Sequence, residues 1–489
     1  METSIARAER DVQRAFEAAL EHTESQGDLH ATESALWTAL LALGRAMVTL
    51  FLVRTARRAR SASYRHEGFL YVFDSKRTRS SEIGTRFGKV TFVRGVGRRL
   101  GVSQWKKVDL PVDRELGLCG GFSLGTTLGV ARLCAMMAFA QARDTFRQFH
   151  EWAPSSRAGL RMVDAVGSEA KPFLDQAPAP DGDGEILVIQ VDGRGAPMIT
   201  STERERRARP HQPRTGTKRN QRRTKRREHP RPRRRKGDKS KNAKVAVLGV
   251  IYTLRKTEDG YEGPLNKQVI GTFASHRALM RWLREQADKR GYGRKKTLFL
   301  ADGSDHIWRT QAEFFPQAQE CLDWYHVVEK LWEVGRFFFA EGSSPLTQWV
   351  AARKELLRAG KVWDVVDDLI AHKKRIPKTG PGTKHKRKRL DDIITHFADH
   401  SDRMRYDVLR SQGLDIGTGA VEGAVRNVVA VRLDGPGMRW GRERSELILH
   451  LRCILVSNQW DDFAAYLAER NGIKLPAQPT QATPHAAAA

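Results

Sequence analysis

The chain has 489 residues, enough for two to four domains with cores of their own, and its 40% hydrophobic content is that of an ordinary globular protein. Lys and Arg outnumber Asp and Glu by 85 to 57, a net +28, and such an excess attracts polyanions, nucleic acid first among them. Four cysteines with no CxxC pair and no histidines at finger spacing argue against a disulfide framework or a zinc finger, and the charged N-terminus is unlike a secretory leader.

Residues 4–58 are rich in Ala, Leu, Glu and Arg and lack Pro, so they read as two helices broken near Gly27. Apolar positions spaced for one face suit a helical hairpin or an oligomerisation arm over 1–60, and a homo-oligomer is the expectation for the protein. The apolar window Ala35 to Val53 reaches membrane length, but Arg45 in its middle is penalised by about 2.5 to 3.5 kcal/mol in a bilayer. It is therefore expected to be a buried or dimerising helix, with no membrane partner, in a cytoplasmic, nucleoid-associated protein. Residues 61–110 turn to Phe, Tyr, Val and Thr punctuated by Gly, a small antiparallel unit. Residues 111–180 return to helix with a three-helix rhythm, either a helix-turn-helix whose last member, SRAGLRMVDAVG, reads DNA or a plain helical linker domain. DQAPAPDGDG at 175–184 marks a boundary.

Beyond it, ILVIQV, VAVLGVIYTL, KQVIGTF, a helix from His276 to Arg290, TLFLAD, another helix and ECLDWY alternate strand with helix. That order predicts an α/β fold with a mixed sheet over 181–465, interrupted by a helical, very basic insertion at 337–410. Helices resume over Gly419 to Leu433 and Arg444 to Ser457, and 466–489 reads as a disordered tail.

Between Arg204 and Lys244 stand twenty Lys or Arg against three acidic residues, a net +17. Such density cannot pack as a core and reads as a flexible arm between the first two strands. Arg222, Arg223, Arg226, Arg227, Arg233, Arg234 and Arg235 are its candidate phosphate contacts, with Lys386 and Arg387 of the insertion beside them. A merely solvated run or a localisation signal has the same composition.

Three carboxylates carry the candidate chemistry. Asp192 and Asp302 each end an apolar strand and are followed by Gly, and neighbouring strands would hold them together. Glu422 follows Thr418, a helix-capping candidate, and borders the stripe Val421, Val425, Val428 and Val429, so it can reach inward. Each residue has an ordinary alternative: a strand-end Asp-Gly makes a turn, and Glu422 can pair with Arg426 one helical turn away. Asp305 is the rival to Asp302 within ADGSD. An all-oxygen set favours Mg2+ or Mn2+, and two ions about 3.5 to 4 Å apart suit phosphodiester chemistry. Asp323 and His326 form a D-x-x-H unit in which Asp323 can simply cap a helix. Trp324 and Tyr325 beside it can stack on bases or pack in the core.

The ordered series VDG at 191–193, ADGSDHIW at 301–308, DWYHVVEKLW at 323–332, TGAVEGAVRNVV at 418–429 and GMRWGRERSELILHLR at 437–452 resembles the DDE transposases of bacterial insertion sequences. The similarity is to the group related to the Mutator-like superfamily. It implies an RNase H-like catalytic domain with a helical insertion before the Glu. Asp192, Asp302 and Glu422 would hold two Mg2+ ions, and Asp323 and His326 would support the site or the DNA strand. The implied reaction is attack by water, then by a DNA 3′-OH, on phosphodiesters at the element's ends, with element and target DNA as partners. A metal-dependent nuclease on the same fold, or a non-catalytic DNA-binding descendant, are the competing classes. The cysteine-bearing N-terminal segment of many relatives is missing, and the Arg-rich run is unusually long.

Overall fold

The computed structural model describes residues 4–24, 28–101, 108–200, 205, 243–258 and 260–472. The chain divides into two compact units, residues 1–173 with 458–489, and residues 174–457.

The first unit opens with α1 (Ser4–Glu24) and α2 (Leu29–Ala56), an antiparallel hairpin closed by Arg54 on Glu9 at 2.6 Å. Asp28 caps α2 by accepting from Ala31 N at 2.9 Å. A four-stranded antiparallel sheet follows in chain order: β1 (Ser63–His66), β2 (Phe69–Thr85), β3 (Gly88–Arg99) and β4 (Val108–Asp109). Leu52 of α2 joins Ile83, Val90, Phe92 and Val112 in one core cluster, so the helix lies on this sheet by its inner face only. Of the two expectations for α2, a buried or a dimerising helix, burial within the chain is corrected here: only 11% of its most apolar window is buried. Trp37, Leu40, Met47 and Phe51 stand about half exposed on its outer side. Among the described residues α2 is the one helix long and apolar enough to cross a membrane.

After α3 (Pro111–Glu115), three helices pack together: α4 (Leu124–Met136), α5 (Phe139–His150) and α6 (Ser156–Ser168). Ser123 and Ser155 cap α4 and α6 through their hydroxyls. The outward side of α6 carries Arg157 and Arg161. The C-terminal helix Trp460–Arg470 belongs to this unit: Phe463 and Tyr466 pack on Phe173 at 5.2 and 5.5 Å between centroids, and Arg470 pairs with Glu169 at 3.0 Å. The expected tail from 466 therefore begins as helix, because aromatic spacing at 460, 463 and 466 gives it a face to bury.

α7 (Ala170–Gln176) runs across the boundary into the second unit. There β5 (Ile186–Pro197), β6 (Ala243–Thr257), β7 (Gly260–Thr272), β8 (Lys296–Ala301) and β9 (Gln319–Leu322) form one mixed sheet in the order β7-β6-β5-β8-β9. β7, β6 and β5 are antiparallel, and β8 and β9 run parallel to β5. Over 186–191, 246–251 and 298–301 the central strands are buried on both faces and apolar apart from Gln190, as a covered sheet requires. One face takes α8 (His276–Lys289), whose Leu283 fits the space left by Gly249, and α9 (Asp305–Phe314), tied to α8 by Arg277 and Glu313. The other face takes α15 (Gly419–Val425) and α16 (Arg442–Val456), the latter through Glu446, which accepts from Phe273 N at 2.9 Å and from Thr272 Oγ1 at 2.6 Å.

Between β9 and α15 lie α10 (Trp324–Gly335), α11 (Ser344–Arg358), α12 (Val362–Arg375), α13 (Thr383–Asp399), a 3-10 turn at Ser401–Met404 and α14 (Tyr406–Ser411). The expected single helix from Gly419 to Leu433 is instead α15 followed by a π-helical turn, Arg426–Ala430. Val421, Val425, Val428 and Val429 are all buried, so the apolar stripe is kept while the wider turn re-phases it.

Candidate metal centre

Register brings the aspartates together. In the parallel part of the sheet Val191 pairs with Ala301 and Ala301 with Leu322, so Asp192, Asp302 and Asp323 each follow one of three residues aligned across β5, β8 and β9. All three consequently arise at the same level, at the carboxyl ends of β8 and β9. Asp192 itself is not a strand end. β5 continues to Pro197, paired with β6 as far as Ala243, so Asp192 sits opposite Leu248 where the shorter β8 has already left the sheet. A two-stranded ribbon projecting past its neighbour replaces the expected turn, and Asp192 Oδ1 accepts from Gly193 N at 2.6 Å.

Asp302 is the first residue off β8. Its Oδ1 accepts from Ser304 N at 3.0 Å, and its backbone carbonyl accepts from Trp308 Nε1 at 2.8 Å. Asp305, the rival in the same stretch, is exposed in the first turn of α9. Glu422 is half-buried on α15 and its Oε1 accepts from Thr418 Oγ1 at 3.1 Å. Thr418 stands at the N-cap, its carbonyl accepting from Glu422 N at 3.0 Å, but its hydroxyl is turned to the carboxylate and makes no capping bond. Among the described residues no ion pair joins Glu422 to Arg426.

The capping duty falls to Gln190, a residue that sequence reasoning did not single out. It is buried on β5, two residues before Asp192 and on the same face. Its Oε1 accepts from Val421 N at 2.9 Å, while Nε2 donates to Tyr252 Oη at 3.1 Å and to Gly417 O at 3.3 Å. One buried amide therefore fixes the start of the Glu422 helix to the strand that carries Asp192.

Asp323 does two jobs. It is wholly buried, and as the cap of α10 its Oδ2 accepts from His326 N at 2.9 Å. The same oxygen meets His326 Nδ1 at 2.6 Å, and Oδ1 accepts from Thr418 N at 2.7 Å. Trp324 is buried against Tyr406, whereas Tyr325 is exposed over Gly417. Donor atoms of Asp323, His326 and Glu422 lie within 4.8 Å of one another, a spacing that can suit an ion. Both Asp323 oxygens and His326 Nδ1 are engaged in hydrogen bonds, and so is one oxygen each of Asp192, Asp302 and Glu422.

Electrostatics report the same convergence. Burial first, then the charges of Asp302 and Glu422, push the Asp192 carboxyl up, against the Gly193 N–H and His326, which hold it down. Repulsion among three carboxylates is what a divalent cation would relieve. The Asp323 hydrogen bond raises His326 to about 9 against its burial, with the Asp323 and Asp302 charges adding to the rise. For Asp323, burial pushes upward but the bonds from His326 and Thr418 outweigh it, leaving the group below its usual range. His396 of α13 packs on Gly303, and burial followed by the Lys330 charge drives it down to about 3.

The basic residues divide. Arg222, Arg223, Arg226, Arg227, Arg233, Arg234 and Arg235 lie outside the described residues. Arg387 wraps the end of α12, donating to Lys373 O at 3.1 Å and Ile376 O at 2.8 Å, and Lys386 donates to Phe337 O at 3.3 Å. Trp440 of GMRW exchanges backbone bonds with the strand that leads into the basic run: Trp440 N donates to Pro197 O at 3.1 Å and Ile199 N to Trp440 O at 2.9 Å.

No family model matches the chain, and no curated protein matches it. Among solved structures it is similar to the Drosophila P element transposase strand transfer complex, at 11% identity over 70% of this chain and 80% of that one, with a TM-score of 0.24. A superposition that loose decides neither fold nor activity.

Proposed function

We propose that the second unit is an RNase H-like catalytic domain and that the protein is a DNA transposase, cleaving and joining phosphodiester bonds at the ends of an insertion sequence. The observation that carries this reading is the shared register of Asp192 and Asp302 on adjacent parallel strands, with Glu422 brought over them by a helix that Gln190 and Asp323 pin in place. A sheet of order β7-β6-β5-β8-β9 with only β5, β8 and β9 parallel, and a helical insertion ahead of the Glu-bearing helix, supports the fold assignment.

Asp192, Asp302 and Glu422 would hold two Mg2+ or Mn2+ ions. When bound, such ions activate the attacking oxygen and stabilise the leaving one. The residues of the chain place these donors, keep Glu422 aimed through Thr418, and set the cation His326 beside the carboxylates. Phosphates are drawn in by the net charge of +28, a sequence-independent attraction that weakens with salt.

The test uses duplex oligonucleotides bearing the native element ends. Asp192→Ala, Asp302→Ala and Glu422→Ala should each abolish Mg2+-dependent cleavage and leave DNA binding nearly intact, and full activity in any one removes that residue from the centre. Products joined to a target duplex mark a transposase, whereas cleavage without joining marks a nuclease.

A further inference from the structure

Asp302 and Gly303 lie just beyond the last paired residue of β8, so no sheet hydrogen bond fixes their carbonyls. Two side chains do. Trp308 Nε1 donates to Asp302 O at 2.8 Å, and His400 Nε2 lies 3.3 Å from Gly303 O. Both depend on one guanidinium from the helical insertion. Arg403 Nη1 stands 3.0 Å from His400 Nδ1, and since Arg can only donate, Nδ1 must accept and the imidazole proton sits on Nε2, facing Gly303 O. The Arg403 guanidinium also covers the Trp308 ring at 4.5 Å. Glu320 of β9 anchors it from behind, accepting from Nε at 2.5 Å.

We propose that Arg403 is a positioning residue for Asp302, acting through His400 and Trp308 on the two carbonyls of the Asp302–Gly303 loop. The insertion thereby becomes part of the metal centre's frame although none of its side chains is among the three ligands. This inference rests on the reading of Asp302 as a metal ligand. A partly exposed Arg–Glu pair adds little stability by itself, so stability alone is a poor account of a guanidinium with three converging partners. Outer contacts of this kind typically change metal affinity by about 10- to 100-fold when removed.

Mn2+ binding to the full chain, followed by the loss of the free-ion electron paramagnetic resonance signal, tests the idea beside thermal unfolding of the same samples. Arg403→Met should weaken Mn2+ binding by about tenfold or more, and Arg403→Lys should recover only part of it, because an ammonium cannot serve His400 and Glu320 in one plane. Trp308→Phe, which deletes the donor to Asp302 O together with part of the ring that Arg403 covers, should weaken binding in the same direction, and unchanged affinity in it overturns the inference if Arg403→Met does not fold. A melting temperature that falls while Mn2+ affinity stays at the wild-type value overturns the inference. Wild-type protein that binds no Mn2+ overturns the metal reading itself and this inference with it.

Discussion

Asp323→Asn keeps the size of a buried side chain and changes only what it offers its three donors. The carboxylate accepts from His326 N and Nδ1 on one oxygen and from Thr418 N on the other. An amide has one oxygen, so in either orientation its NH2 faces a buried N–H, which costs about 1 to 3 kcal/mol. The ion pair with His326 is lost as well. The rise of His326 from 6.5 to about 9 corresponds to about 3 kcal/mol at full strength, and exposure of 39% of the imidazole cuts this to about 1 kcal/mol. Denaturant unfolding should therefore show a loss of about 2 to 4 kcal/mol. The loss has a defined pH window. Because His326 is raised in the folded state, its share is fully present below about 6.5 and disappears as pH climbs through about 9. Because Asp323 is lowered, its share is present above the ordinary value of 3.8 and is lost in acid. The gap between the two proteins should be widest between about pH 4 and 6.5 and narrower at pH 9. Equal stability within about 0.5 kcal/mol across that range would refute the hydrogen-bonded frame.

Gln190→Leu preserves volume on β5 but leaves Val421 N and Tyr252 Oη without their buried partner, and about 2 to 4 kcal/mol of unfolding free energy should disappear. Hydrogen exchange should show the loss concentrated at the start of α15, and uniform protection there would contradict the capping assignment. Deleting residues 206–241 removes most of the net +17 of that run, so DNA affinity should drop for every sequence and its log–log dependence on salt should flatten. An unchanged slope would show that the run does not touch DNA.

The apolar runs ILVIQV and TLFLA were legible as neighbouring strands because burial on both faces leaves a continuous hydrophobic signature, and the acidic residues after them were legible for the same reason. Register was not. Whether Asp323 stands level with Asp302 depends on which residue of β9 meets Ala301, and nothing within ECLDWY states that. The extension of β5 to Pro197 was hidden because its partner, the start of β6, returns only after the basic run. Gln190 looked like one polar residue inside a strand, and its role appears only once Val421, 231 positions later, is packed against it. The exposure of the outer side of α2 was not legible because hydropathy records composition and not what lies opposite.

The ribbon that carries Asp192 past β8 also bounds the basic run. Pro197 is paired with Ala243, and Trp440 clasps the strand at Pro197 and Ile199, so the intervening segment leaves and re-enters at one fixed point, about 17 Å along β5 from Asp192. The described ends of the run and Asp192 are therefore held on one ribbon, so a change at the Trp440 clasp acts on the strand that carries the carboxylate.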